Sequence, residues 1–220
     1  MERLPVETLK NFMVEVFKRS GVPEEDAEIC SEVLIASDLR GIESHGIGRL
    51  KMYYDRIKAG IQEPVTRIEV IKDKAATAVW DGNNGMGQVI SFRAMETAIE
   101  KAKQFGLGAV AVRNSTHFGI CGYYANMACQ ENMIGLIFTN ARPSVCPTFG
   151  VEPLLGTNPI CFGAPTDLAF PFIYDAATSI TQRGKIEQYA REEKETPVGW
   201  AIDLEGTPSP PPHHPPPPSV

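Results

Sequence analysis

The feature that most constrains the fold is a change in hydrophobic periodicity near Pro64. Before this residue, apolar side chains recur at helical spacing in segments that end at Gly21, Gly41 and Gly60. After it, the segments TRIEVIKD and ATAVWDG alternate between apolar and polar residues, which is typical of strands. The chain therefore predicts a helical N-terminal part followed by a part that contains a sheet.

The second part of the chain alternates strands with helices. A helix is expected over residues 90–105, and GAVAVRN follows it as a short buried strand. MIGLIFTNA and FPFIYDA predict two more strands. This order indicates the α/β class. We predict a helical N-terminal domain over residues 1–72, an α/β domain over 73–206 and a disordered, proline-rich tail over 207–220.

Composition excludes several classes of function. The net charge of -6 and the absence of a long basic run argue against a nucleic-acid partner. No apolar stretch approaches the ~20 residues of a membrane span, and the charged, amphipathic start does not resemble a signal peptide. The 5 cysteines include no CxxC pair, which is typical of free thiols in a reducing compartment. We therefore predict a cytoplasmic protein without nucleic-acid or membrane partners.

The third predicted helix carries the first candidate site. It would begin with Ser44 as its N-cap and end at Gly60. Its expected core face consists of Ile47, Leu50, Tyr54 and Ile57. Four-residue spacing stacks a second set on a different face, namely His45, Arg49 and Tyr53. Arginine binds a carboxylate through two parallel hydrogen bonds and tyrosine adds one more, so this face predicts a small-carboxylate site. The alternative is an ordinary solvated face.

His117 is the second candidate. It follows the predicted strand over residues 109–113, and side chains at strand ends commonly form sites in α/β proteins. Gly119 and Gly122 would let the backbone approach a ligand closely. Histidine exchanges a proton near neutral pH, so this position predicts an acid/base group. The alternative is a turn histidine that hydrogen-bonds to its own loop.

Phosphate-binding patterns do not indicate a Rossmann site. GLGAVA fits the loose G-x-G-x-x-A pattern, but a helix precedes it and a strand follows, which reverses the required order. FIYDAATSI runs from a strand into small residues, and a helix beginning after Asp175 would present free amides to a cofactor. A plain helix cap is the alternative there. The chain has no G-x-S-x-G or H-E-x-x-H motif, so neither hydrolysis nor a metal site is predicted.

Several segments together are more specific than any single pattern. In chain order they are DLRGIESHGIGRLKMYYDRIKAG, RNSTHFGICGYYA, LLGTNPICFGAP, DAATS and RGKIE…ETPVGWAIDLEGTP. They resemble the malate/L-lactate dehydrogenase family of NAD(P)-dependent oxidoreductases. This family does not have a Rossmann fold, and it includes sulfolactate and ureidoglycolate dehydrogenases and diketogulonate reductases. The resemblance extends from about Leu4 to Pro208.

The resemblance implies an architecture and an activity. It implies a helical domain packed on a non-Rossmann cofactor domain with a mixed sheet, in a homodimer whose site lies near the interface. The implied reaction is hydride transfer between the nicotinamide of NAD or NADP and a small 2-hydroxy acid or 2-oxo acid of the malate or lactate type.

The resemblance also implies roles for individual residues. His117 matches the histidine given the acid/base role in some members, and His45 matches the proton donor named in others. Substrate-binding positions are matched by Ser44, Arg49 and Tyr53. Cofactor-binding positions are matched by Ala141, Asp175, Ala176 and Ala177, with Thr157 and Asn158 in the neighbouring GTNP turn.

Two departures from the family pattern affect these expectations. Members usually have Asp-Met-Ala-Thr where this chain has Asp175-Ala176-Ala177-Thr178. The family also continues past the end of this chain, through a glycine-rich segment with a cofactor-binding lysine. The resemblance therefore implies a C-terminally truncated member with an incomplete cofactor domain. Two functions stay open, a 2-hydroxy acid dehydrogenase and a non-catalytic homologue that binds a ligand or a partner.

Overall fold

The computed structural model describes residues 4–203 and 205–208, so the predicted tail lies outside the described residues from 209 onwards. The helices in this part are α1 (Val6–Arg19), α2 (Glu24–Leu39), α3 (Leu50–Lys58), α4 (Gly87–Phe105), α5 (Cys121–Gln130) and α6 (Arg183–Arg191). The strands are β1 (Glu69–Asp73), β2 (Thr77–Asp81), β3 (Ala109–Arg113), β4 (Gly135–Phe138), β5 (Ile160–Ala164) and β6 (Phe172–Ala176). This order confirms the predicted α/β class.

The helical N-terminal part forms one apolar core. α1 packs against α2 and α3, and α2 also contacts α4 and α5. Phe17, Leu34 and Tyr53 are buried between these helices. Pro23 precedes α2 and acidic residues fill its first turn, which suits the positive end of the helix dipole. The first two helices therefore occur where their periodicity predicts them.

The predicted third helix is wrong at its start. Ser44 does not cap an α-helix, because Glu43–His45 and Ile47–Arg49 form two 3₁₀ turns and α3 begins only after them. Asp38 of α2 is the physical cause, since its Oδ2 accepts the backbone N–H of Ile47 at 2.8 Å. That bond ties the chain to α2 at the place where a regular helix would run.

The predicted core face of this helix is wrong in part for the same reason. Tyr53, expected on the polar face, is fully buried against the ring of Phe17, with 6.1 Å between the ring centroids. Tyr54, expected in the core, is 40% exposed. A 3₁₀ turn has about 3 residues per turn instead of about 3.6, so a helical phase counted from Ser44 does not hold in α3.

The described chain also contains two three-stranded sheets. β1 and β2 make an antiparallel hairpin, and β3 lies parallel to β2 after a crossover through α4. The second sheet, in the order β4-β5-β6, is antiparallel, and α5 packs on all three strands. The first sheet is therefore mixed, and neither sheet has the parallel pattern of a Rossmann fold.

Three details of this region differ from the sequence prediction. The sequence pattern does not predict α5 or β5, which lie beside loops rich in glycine, asparagine and proline. The helix expected after Asp175 is wrong, because Asp175 belongs to β6 and the next helix begins at Arg183. β3 is not buried as predicted, because it is an edge strand among the described residues and its side chains are exposed or half-buried.

The domain limits stay predictions. β1 begins at Glu69, so the limit at residue 72 falls inside a strand. At the start of the predicted tail, Pro208 forms an isolated β-bridge with Ile202. Across residues 4–203 and 205–208, none of the helices combines the length and the apolar character needed to cross a membrane.

An open groove lies between α4, β3 and β4. Its volume is 870 Å³. Large apolar side chains around it are more than half exposed, namely Leu107, Ile134, Leu136 and Phe138. Within the described residues, β3 and β4 each pair along one edge only. Apolar surface and unpaired strand edges therefore occur together on one side of the molecule.

Candidate active site

Two histidines stack where the helical part meets the first sheet. His45 lies in the 3₁₀ turn Glu43–His45, and His117 lies in the loop after β3. Their ring centroids are 5.4 Å apart and their planes are inclined by 20°. The structure thus brings together the two residues predicted to handle a proton.

His117 is held through its Nδ1 atom. Tyr53 Oη lies 2.6 Å from Nδ1, and the backbone N–H of Gly119 donates to the same atom at 3.3 Å. A backbone amide can only donate, so Nδ1 is an acceptor and the neutral ring carries its proton on Nε2. Gly119 has a φ of 83°, which glycine adopts without strain. The Nε2–H group is the donor that this ring has left for a ligand.

Both imidazoles are neutral at pH 7. Burial lowers the pKa of His45 to about 4, and the charge of Arg49 adds to the effect. Burial also lowers the pKa of His117 well below its usual value, with contributions from His45, Arg49 and Arg56. Burial raises the pKa of Tyr53, so its phenol stays protonated beside His117. A neutral imidazole has one donor and one acceptor nitrogen, as an acid/base group requires.

The segment that contains α6 packs against the 3₁₀ turns. Gln182 Nε2 donates to Ser44 Oγ at 3.1 Å, and Ser44 Oγ lies 2.9 Å from Nδ1 of His45. Arg49 Nη1 donates to Glu187 Oε2 at 2.9 Å, and its Nε donates to the carbonyl oxygen of Ser44 at 2.7 Å. Ser44 and Arg49 therefore lie beside His45, and the chain itself supplies the carboxylate that Arg49 binds.

A cavity of 350 Å³ opens beside His45, which is one of its lining residues. Four of the predicted cofactor positions also line it, namely Thr157, Asp175, Ala176 and Ala177. The other two, Ala141 and Asn158, bond to each other at the GTNP turn, where the N–H of Ala141 donates to Asn158 Oδ1 at 2.9 Å. The cavity therefore joins the predicted cofactor positions to the predicted proton donor.

Asp175 connects this cavity to α5. Its Oδ2 accepts the backbone N–H of Gly122 at 2.7 Å, in the first turn of that helix. The positive end of a helix dipole favours a carboxylate at this place. Burial raises the pKa of Asp175, and the hydrogen bonds from Gly122 and Cys121 oppose that rise. The carboxylate thus fixes the end of β6 against α5 and holds the cavity wall in place.

The residues around the cavity fit the nicotinamide end of a dinucleotide. Ala176 and Ala177 are small and half-buried, so no large side chain fills the cavity on this side. Small-molecule pockets usually measure about 300–1,000 Å³, so this cavity suits one end of a dinucleotide and not the whole molecule. Among the residues that the structure describes, no three His, Cys, Asp or Glu side chains are grouped as metal ligands.

The sequence did not predict four residues of this site: Gln182, Lys185, Glu187 and Trp200. Lys185 and Trp200 line the cavity, and the Nζ atom of Lys185 lies 5.7 Å from the centroid of the Trp200 ring. Gln182 and Glu187 reach their partners across 138 positions of the chain. No local pattern indicates contacts over that distance. The one available signal is that these residues lie in or near the family-like RGKIE and GWAID segments.

Solved structures of dehydrogenases share this fold. The crystal structure of malate dehydrogenase from Entamoeba histolytica matches with a TM-score of 0.91 at 48% identity, over 94% of this chain and 58% of that chain. Sulfolactate dehydrogenase from Methanocaldococcus jannaschii matches with a TM-score of 0.84 at 44% identity, over 94% of this chain and 60% of that chain. The fold described above is therefore a dehydrogenase fold.

Sequence comparison identifies the family. The malate/L-lactate dehydrogenase family model matches residues 4–215. Malate dehydrogenase from Pyrococcus abyssi is 52% identical over 204 residues, which are 93% of this chain and 56% of that protein. This chain belongs to the malate/L-lactate dehydrogenase family, which confirms the resemblance of its motifs. It spans little more than half the length of these relatives.

Proposed function

We propose that the chain acts as an NAD(P)-dependent oxidoreductase that transfers a hydride between nicotinamide and a small 2-hydroxy acid or, in reverse, a 2-oxo acid. One observation carries the proposal: a stacked pair of neutral histidines adjoins a cavity lined by Asp175, Ala176 and Ala177. Hydride transfer at a carbinol carbon needs nicotinamide beside the carbon and a proton acceptor beside the oxygen. The named relatives are dehydrogenases of malate and of sulfolactate, both 2-hydroxy acids, which supports this substrate class.

In this proposal His117 polarises the substrate oxygen. Its Nδ1 accepts from Gly119 and faces Tyr53 Oη, so its Nε2–H is free to donate. A hydrogen bond from Nε2–H to the substrate oxygen stabilises the negative charge that develops there during the reaction. Tyr53 acts by holding the ring of His117, and its own contact with substrate stays a prediction from the family resemblance.

His45 exchanges the proton in the proposed reaction. Its Nδ1 is directed to Ser44 Oγ, which has two lone pairs and also accepts from Gln182. With its proton on Nδ1, His45 presents the lone pair of Nε2. In the oxidation direction the hydroxyl proton of the acid moves to Nε2 while the hydride leaves the carbinol carbon, and the reverse reaction returns both. Bound nicotinamide supplies the hydride acceptor in one direction and the hydride donor in the other.

Arg49 is the proposed site for the carboxylate next to the reacting carbon. Its Nη1 holds Glu187 at 2.9 Å, and the two side chains are 18% and 20% exposed. Substrate binding at Arg49 therefore exchanges the carboxylate of Glu187 for that of the acid. A guanidinium forms charge-assisted hydrogen bonds with either carboxylate, which supports the exchange.

Further properties belong to the same proposal. The wall formed by Thr157 and Asp175–Ala177 would hold the nicotinamide of NAD or NADP, with Asn158 and Ala141 at the adjoining GTNP turn. We also propose a cytoplasmic homodimer. All five cysteines are unpaired, which supports a reducing compartment, and the apolar groove beside β3 and β4 supports association between copies.

Turnover by the purified chain tests the proposal. The protein is mixed with NAD⁺ or NADP⁺ and a panel of 2-hydroxy acids, and absorbance of the reduced nicotinamide is followed. Binding of NADH or NADPH is measured separately by energy transfer from Trp200, which lines the cavity. His45→Gln should keep cofactor binding and lose about 100- to 10,000-fold in kcat. Wild-type protein that binds cofactor and acid without turnover would contradict the proposed activity.

A further inference from the structure

One side chain that lines the cavity, the lysine Lys185, carries a positive charge and has no role in the proposed reaction. Lys185 of α6 lines the cavity together with His45 and Trp200. Lys185 is exposed, and within residues 4–203 and 205–208 it forms no ion pair, unlike Arg183 and Glu187 on the same helix. It thus places a positive charge at the space in which an acid would bind.

Trp200 holds the ammonium of Lys185 at the cavity. The Nζ atom of Lys185 lies 5.7 Å from the centroid of the indole ring, within the range of a cation–π interaction. Trp200 in turn packs against Tyr189, with 5.2 Å between ring centroids. Lys185 and Tyr189 are four residues apart on α6 and are therefore neighbours on one face of the helix. This arrangement keeps the exposed lysine beside the cavity.

The other charges around the cavity are already compensated. Arg49, which adjoins His45, is paired with Glu187. Asp175, the acidic residue of the lining, is hydrogen-bonded to the N-terminal turn of α5. His45 is neutral at pH 7, because burial lowers its pKa to about 4. Among the described lining residues, Lys185 therefore carries the positive charge that is left for an anionic ligand.

We propose that Lys185 binds the second anionic group of a dianionic 2-hydroxy acid, and so selects dicarboxylates and their sulfonate analogues over monoanions such as lactate. The inference rests on the proposed function, because it assigns the carboxylate next to the reacting carbon to Arg49. An ammonium is a compact charge with three donors on a flexible stem. It pairs with a carboxylate or a sulfonate oxygen without requiring the planar geometry of a guanidinium.

A phosphate of the dinucleotide offers the same chemistry to an ammonium. The acid is the favoured ligand because Lys185 and His45 line one cavity, and His45 is the proposed proton acceptor at the reacting oxygen. A cofactor phosphate is separated from the nicotinamide ring by a ribose, whereas the second anionic group of a small acid lies only two or three bonds from the reacting carbon. The experiment therefore measures both kinds of ligand.

Tryptophan fluorescence of the 220-residue chain provides a test that does not depend on turnover. L-malate, L-lactate and NADH are titrated separately into the wild type and into Lys185→Met, Lys185→Arg and Lys194→Met. Lys194 is a matched control, because it pairs with Glu192 and does not line the cavity. We expect Lys185→Met to weaken malate binding by about tenfold or more, the range of one hydrogen bond to a charged group. Lactate and NADH affinities should change by less than about twofold. Lys185→Arg should recover most of the malate affinity, and Lys194→Met should resemble the wild type.

Four outcomes would overturn the inference. Equal losses for malate and lactate would place Lys185 at the carboxylate that the two acids share. A loss confined to NADH would assign Lys185 to a cofactor phosphate. Unchanged malate binding in Lys185→Met would show that Lys185 does not bind the second anionic group, and it would leave the proposed function intact. Wild-type protein that binds NADH but neither acid would count against the acid substrate and so against the proposed function as well.

Trp200→Phe should abolish the malate signal, because Trp80, the other tryptophan, lies in the first sheet.

Discussion

Tyr53 connects the apolar core of the helical part to His117. Its ring packs against Phe17, and its Oη lies 2.6 Å from Nδ1 of His117. Tyr53→Phe keeps the packing but removes a donor that stabilises the neutral imidazole. We expect the pKa of His117 to rise toward its ordinary value and the free energy of unfolding to fall by about 1 kcal/mol. A ¹⁵N NMR titration of the imidazole measures the first effect, and urea unfolding measures the second.

Tyr54→Phe is the matched control for this prediction. Tyr54 neighbours Tyr53 in the chain but is 40% exposed, and no hydrogen bond from its hydroxyl occurs among the described residues. Neither measurement should change in that variant. An unaltered titration of His117 in Tyr53→Phe would show that the hydroxyl does not hold the ring.

His45 makes the stability of the protein depend on pH. Its pKa is about 4 in the folded protein against an ordinary value of 6.5, because burial disfavours the charged ring. Between these values the unfolded chain binds a proton that the folded chain does not. The stabilisation from neutral His45 is therefore complete above about pH 6.5 and is lost as the pH falls toward 4. The loss over this interval is on the order of 3 kcal/mol.

His45→Gln should flatten this part of the stability curve, because glutamine does not titrate. Urea unfolding at a series of pH values between 7 and 4 gives the free energy of unfolding for the wild type and the variant. The difference between the two curves reports the titration of His45 together with its effect on the pKa of His117, which His45 lowers. Parallel curves would mean that the imidazole has its ordinary pKa in the folded state.

At the scale of elements, α6 is attached mainly through polar side chains. Gly184 is its one buried residue among those described. Glu187 on this helix pairs with Arg49. Glu187→Gln should lower the free energy of unfolding by about 1.5–3 kcal/mol. It should also strengthen binding of 2-hydroxy acids, because Arg49 no longer has to exchange one carboxylate for another. Thermal unfolding and fluorescence titration with L-malate measure the two effects.

Glu192→Gln is the control for α6. Glu192 forms an ion pair with Lys194 at the end of the helix, and Lys194 is largely exposed. Exposed ion pairs contribute little to stability because solvent screens them, so this variant should be close to the wild type in both measurements. A stability loss in Glu187→Gln without any gain in acid affinity would show that Arg49 holds α6 and does not bind substrate.

Elements with a local pattern are the ones that the sequence predicts. α1, α2, α4 and the strands β1, β2 and β3 occur where their periodicity places them. The sequence places Tyr54 in the core and Tyr53 on the surface, and the structure has the reverse. This could not be predicted, because the 3₁₀ turns before α3 depend on Asp38 from another helix. His45 and His117 could be selected from local motifs. Glu187 could not, because its pairing with Arg49 is decided by packing across 138 positions.

At the scale of the whole molecule, the groove between α4, β3 and β4 is expected to promote self-association. Apolar side chains and unpaired strand edges lie together there, and both favour contact between copies. Phe138 of β4 is 64% exposed in this groove. Phe138→Lys should therefore shift the protein toward monomer, because a lysine charge opposes both apolar contact and strand pairing. Sedimentation velocity at several protein concentrations measures the change.

Phe149→Lys is the control, because it tests whether replacing an exposed phenylalanine outside the groove has the same effect. Phe149 is fully exposed but lies in the loop between β4 and β5, outside the groove. It should leave the distribution of oligomers unchanged. Equal effects of the two substitutions, or none from Phe138→Lys, would mean that the groove does not mediate association.

The pairing of α6 with the 3₁₀ turns also has a consequence for the order of folding. It closes a loop of 138 positions, and ordering so long a segment costs entropy before any contact is gained. The helical core and the β1–β2 hairpin close much shorter loops. Trp80 lies in β2, whereas Trp200 lines the cavity, so single-tryptophan variants can follow the two regions separately. On dilution from urea the fluorescence of Trp80 should reach its native value before that of Trp200, because the chain acquires its core before its binding site.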